Sequence, residues 1–135
     1  IVQTRCLSLD NLAPDNVSLI KIDVEGHELA VLEGGVDTIK RWHPNIIVES
    51  EKRHNAAAPE AVFEFLTKLG YQGYFLINRR IQSIDDFSCE RLQQKENLVD
   101  GGFRVRGKPY VNNFIFLHDA NRETVLLKMN KLLRG

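Results

Sequence analysis

Asp23, Glu25, His27 and Glu28 crowd into six consecutive residues of LIKIDVEGHELAVLEGG, positions 19–35. Carboxylates and an imidazole at this density can take a proton from a hydroxyl, orient a nucleophile or hold a cationic group. Glu49, at the end of NIIVES (45–50), is a further carboxylate of the same kind. Plainer explanations exist for the single residues. Glu28 falls in a first helical turn, where its charge suits the helix dipole. Gly26 lets the chain turn sharply. Asp23 read alone is as well explained as a strand-end carboxylate capping backbone amides, and His27 as a solvated residue at a helix start. The cluster is the signal, because Asp23, Glu25, His27 and Glu28 together exceed what one turn needs. His54 follows Glu49, Glu51, Lys52 and Arg53 and is a candidate for the same crevice.

Such residues need elements to carry them. VSLIKIDV (17–24) is β-branched and apolar, the pattern of a strand buried on both faces, with Lys21 as the exception that suits an edge. His27–Trp42 is expected to be helical: Leu29, Leu32, Val36 and Ile39 form one stripe, interrupted by Gly34 and Gly35, where a break or close packing is expected. Residues 45–50 and 71–78 read as strands, and Pro59 opens a helix whose buried face is Val62, Phe63, Leu66 and Leu69, ended by Gly70. Ile1–Leu7 also reads as a strand, and SLDNLAP as a turn or single helical turn. Residues 79–112 are polar and weakly patterned and read as a long functional loop, with Phe87, Phe103 and Tyr110 as pocket-lining candidates. A last strand spans 112–119, antiparallel to the one before it, and Asn121 caps a final helix. Alternating strands and helices predict an α/β fold, a mostly parallel sheet with an antiparallel C-terminal strand and helices on both faces. In such sheets ligands sit beyond the carboxyl ends of the strands, so Asp23 and Glu49 face one crevice if their strands are neighbours.

Several classes drop out. Lys plus Arg and Asp plus Glu are both 18 in 135 residues, so no net field favours nucleic acid or an anionic membrane surface. No apolar run approaches the ~18 residues of a membrane helix. Cys6 and Cys89 fit no zinc spacing and read as reduced thiols, which points to a reducing, cytoplasmic compartment. HELAV opens like a zinc-protease helix, but Val31 stands where the second His belongs. The GG pairs at 34 and 101 carry no dinucleotide fingerprint, and no metal site is required.

SLDNL, then KIDVEGHE with its LAVLEGG helix, then PNIIVES, resemble the FkbM-type methyltransferases, closely over residues 4–50 and loosely beyond. The resemblance implies a Rossmann-like class I methyltransferase sheet and S-adenosylmethionine as cofactor. It implies transfer of a methyl group to a hydroxyl of a small molecule or saccharide. Asp23 and Val24 would lie beside the donor's sulfonium, Glu25 and His27 would face the acceptor, and Glu49 would close the pocket from the next strand. Asp23 or His27 would be the base, with Glu25 orienting. The family's Gly-rich donor loop and ribose-binding acid are absent, so residues 1–135 are expected to be a single domain, the C-terminal part of a methyltransferase domain. Two other readings compete: a metal-dependent hydrolase using Asp23, Glu25 and Glu49, and a non-enzymatic piece that forms a homodimer through an exposed sheet edge at 17–24.

Overall fold

The computed structural model describes residues 3–99 and 103–134. Residues 101–102, the second GG pair, and Ile1 and Val2 lie outside them. Gln3–Leu7 is irregular and exposed rather than a strand. The chain then forms α1 (Leu9–Leu12), β1 (Leu19–Ile22), α2 (Glu28–Glu33), α3 (Val36–Trp42), β2 (Asn45–Glu49), α4 (Glu60–Lys68), β3 (Tyr71–Ile77), β4 (Arg80–Ser83), α5 (Cys89–Leu92), β5 (Asn113–His118) and α6 (Arg122–Arg134). Residues 79–112 are thus less of a loop than their weak pattern implies. They hold β4, α5 and two short 3-10 turns.

The sheet order is β1-β2-β5-β3-β4, with β1 and β2 parallel and every other pair antiparallel. The expectation of a mostly parallel sheet is therefore corrected. β1, β2 and β3 do run the same way, as the strand–helix alternation demands. However, β5 returns from the end of the chain in the opposite direction and inserts between β2 and β3. It converts what would be one more parallel pair into two antiparallel ones.

One face of the sheet carries the core. Ile22, Ile46, Val48, Phe75, Phe114 and Phe116 pack there with Leu32 of α2, Ile39 of α3 and Val62 and Leu66 of α4. The alternating exposure along β2 puts Ile46 and Val48 inward and Ile47 outward. α6 adds no residue to this cluster and lies against β4 and β5. β1 is a sheet-edge strand, not one buried on both faces: Ile22 is buried but Leu19 is 55% exposed. Its apolar run reads the same whether or not a further strand lies beside it.

The Gly34–Gly35 break is close packing. A Cβ on Gly35 would stand 2.9 Å from Leu9 Cδ2, and the Asp10 N–H donates to Gly34 O at 2.9 Å. α3 has no side-chain cap of its own. The Asp10 carboxylate supplies one from 27 residues upstream, accepting from the Asp37 N–H at 3.1 Å and the Thr38 N–H at 2.8 Å. This fixes the second of the two helices that follow the turn after β1.

Candidate functional site

β1 and β2 pair in register from Leu19–Asn45 to Ile22–Val48. Asp23 and Glu49 are the next residue on each strand, at the carboxyl ends of two parallel neighbours. They share one rim of the sheet. Asp23 is exposed and paired with Lys21 Nζ at 3.1 Å. Glu49 is half-buried and accepts from Asn112 Nδ2 at 2.7 Å and Asn113 Nδ2 at 3.4 Å.

The turn after β1 is built from two consecutive left-handed residues, Glu25 (φ 44°) and Gly26 (φ 98°). Glu28 is 2% exposed, and its Oε1 turns back to accept the Gly26 N–H at 2.7 Å. It therefore locks the turn and is not available to a ligand. Gly26 also abuts a second loop: a Cβ there would meet the His54 carbonyl oxygen at 3.0 Å, and Asn55 Nδ2 donates to Gly26 O at 3.1 Å. His54 thus reaches the turn, chiefly through its backbone.

The four sequence candidates do not all face one point. Glu25 is exposed, and its charge helps raise the Arg53 pKa, although the Glu51 hydrogen bond contributes most. His27 is exposed and lines a separate hollow of about 420 Å³, with Cys6, Leu7, Ser8, Leu9 and Val31 around it. Val24 is 38% exposed at the rim. Among the described residues no group of three or more His, Cys, Asp or Glu side chains could hold a metal ion, so the hydrolase reading through Asp23, Glu25 and Glu49 lacks its ligand set.

The network behind the rim centres on Glu51, which the sequence offers only as one more charge in a polar run. Its side chain is 2% exposed. It accepts from Arg53 Nε at 2.7 Å and Nη2 at 3.0 Å, from the Tyr110 hydroxyl in a short bond, and from Asn112 Nδ2 at 3.4 Å. Burial alone would push the Glu51 carboxyl up, but the Arg53, Tyr110 and Asn112 bonds outweigh it and hold the group below its ordinary value. Tyr110 moves the other way, raised by burial and by donating to that carboxylate. Asn112 joins this network to the rim, since the same amide serves Glu49 and Glu51. Beside it lies a groove of about 230 Å³ with an apolar floor of Ile47, Ile115 and Leu76 and a polar edge of Arg104, Asn112 and Asn113. Tyr110 belongs to this wall. Phe87 does not: it packs edge-on to Phe63, Phe75 and Phe114 in the core. Phe103 is 72% exposed.

The model of the methyltransferase FkbM domain matches residues 1–72, more than half of the chain and all of the segment from α1 to β2. No curated protein and no solved structure gives a significant match.

Proposed function

Because the chain belongs to the FkbM methyltransferase family, we propose that it forms the acceptor side of an S-adenosylmethionine-dependent O-methyltransferase. The acceptor is a hydroxyl of a small molecule or saccharide. The observation that carries this reading is the parallel register Ile22–Val48, which delivers Asp23 and Glu49 to one rim. The rim residues fit the sulfonium end of the donor: Asp23 and Val24 are exposed there, and a carboxylate complements the positive charge. The donor supplies an electrophilic methyl group. This chain's own residues bind, orient and take up the proton.

Methyl transfer is an in-line displacement, so alignment supplies much of the rate. The groove over Ile47 and Ile115 seats the body of the acceptor, and its Asn112–Asn113 edge brings the hydroxyl to the rim. Asp23 is the proposed base. Glu49 is held by two amide donors and orients the acceptor molecule by accepting from a second donor group on it, leaving the reacting hydroxyl's proton to Asp23. Glu25, on the left-handed turn, and His27, in its adjoining hollow, contact the bound ligands from the side. His27 is the less suited of the two to reach Glu49, because its hollow is lined by the segment around α1 and by α2.

Calorimetric titration of S-adenosylmethionine and of its uncharged product, S-adenosylhomocysteine, tests this. The expected result is that Asp23→Asn weakens the sulfonium compound selectively and lowers its preference over the product. An unchanged ratio of the two affinities would remove Asp23 from the donor site. A second reading rests on the open edge of β1 with its exposed Leu19. Strand addition there would give a homodimer, and a concentration-independent monomer in light scattering would rule it out.

A further inference from the structure

At the end of the sheet opposite the rim, His43 and His118 stack face to face, with ring centroids 3.8 Å apart and planes 7° from parallel. His43 closes α3 in the left-handed conformation and His118 is the last residue of β5. The stack therefore joins the α3–β2 turn to the β5–α6 turn. Asn121 repeats the connection. Its Nδ2 donates to His43 O at 3.3 Å, and its N–H donates to His118 O at 3.0 Å. Tyr71, the register partner of His118, stands edge-on to it at 5.1 Å.

One bond fixes the state of His118. Its Nδ1 accepts the Ala120 N–H at 3.2 Å, so the neutral ring carries its proton on Nε2. The surroundings are short of partners: of four buried side-chain polar atoms without one among the described residues, Asn45 Oδ1, Tyr71 Oη and Asn121 Oδ1 all belong to this end. The stack does not suit chelation. A metal ion would have to lie about 2.0–2.1 Å from a nitrogen in the plane of each ring, and two nearly parallel planes offer no shared point.

We propose that the His43–His118 stack is an acid-sensitive latch on α6. A proton on His118 Nδ1 turns the acceptor of the Ala120 N–H into an opposing donor and frees the start of the helix. The new positive charge would lie against the face of the His43 ring. The titratable and charged groups facing His118 are His43 from the end of α3, Tyr71 from β3, and Asp119 in its own turn, engaged by Arg122 Nη1 of α6 at 2.5 Å. Burial first, and His43 second, lower the proton affinity of His118, with Asp119 opposing. A folded-state value below the unfolded one means that the unfolded chain takes up the proton first. The contribution is complete above about 6.5, the ordinary value, and is lost as pH falls through the lower folded-state value.

α6 is the element such a change would release. None of its residues is buried, and its far end is tied by Arg79 Nη2 donating to Leu133 O at 3.0 Å. Amide hydrogen exchange from about pH 8 to about pH 5, corrected for intrinsic rates, reads the latch. Protection at Val125, Leu126 and Met129 is expected to fall on the order of tenfold on acidification, while Ile46–Val48 in β2 hold. His118→Asn keeps an acceptor for Ala120 without titrating and should abolish the fall. His43→Phe keeps the stack and removes the second charge, so the fall should move to higher pH. A pH-independent α6, an unchanged fall in His118→Asn, or an equal loss in β2 would each overturn the proposal.

Discussion

Replacing Arg53 by Met tests the network behind the rim. Arg53 gives Glu51 two charge-assisted bonds, at 2.7 and 3.0 Å, and the Glu51 side chain is 2% exposed against 33% for Arg53. Hydrogen bonds to charged groups contribute about 1.5–3 kcal/mol each, and breaking a fully buried pair costs about 3–5 kcal/mol. The guanidinium is one-third exposed, so water screens part of the attraction, and Tyr110 and Asn112 still serve Glu51 after the change. Arg53→Met should therefore cost about 2–3 kcal/mol, near the lower end of that range. With a urea dependence of about 1–3 kcal/mol per molar, the unfolding midpoint should drop by about 0.7–3 M. Adding Glu51→Gln should recover about 1 kcal/mol or more, because a neutral amide needs no counter-charge. A loss below about 0.5 kcal/mol for Arg53→Met would mean that the pair behaves as a surface salt bridge, and the reasoning would fail.

Two further outcomes follow from the same loops. Since Glu51 has a lowered folded-state pKa, its stabilising effect is complete above about 4.5, its ordinary value, and disappears as pH falls through the lower folded value. Tyr110→Phe should flatten that acid limb in thermal melts taken across the range. Gly26→Ala should destabilise the fold by about 1–3 kcal/mol, because it combines a left-handed backbone with a Cβ facing the His54 carbonyl. A melting temperature equal to that of the parent would contradict the close approach of the two loops.

Part of the candidate site is legible in local sequence pattern. The KIDVEGHE octet and its flanking segments carry the family, and the strand-to-helix turn falls where the apolar run gives way to Glu25 and Gly26. The break at Gly34–Gly35 separates α2 from α3 as the stripe of Leu29, Leu32, Val36 and Ile39 suggests. The first two are local features, set by side-chain period and by backbone freedom at Gly26, while the Gly34–Gly35 break also makes room for the close approach of Leu9. The neighbouring placement of Asp23 and Glu49 is also a consequence of alternation, since a right-handed helical crossover returns the chain parallel to the strand it left.

Other features depend on residues far apart in sequence, where no local period reports them. Nothing in NNFIFLHD says that it will insert between β2 and β3 and make most of the pairings antiparallel. The exposure of β1 is likewise a matter of which strand lies beside it. Glu51 reads as a solvated charge until Tyr110, 59 positions away, closes over it. His43 and His118 look like two ordinary loop histidines until their turns meet. The sequence by itself determined the family, the helix and strand segments and the chemical character of the rim, because those follow from short-range pattern. Tertiary structure alone decided which charges are buried and paired, because burial is a property of the neighbours a side chain acquires when the chain closes on itself.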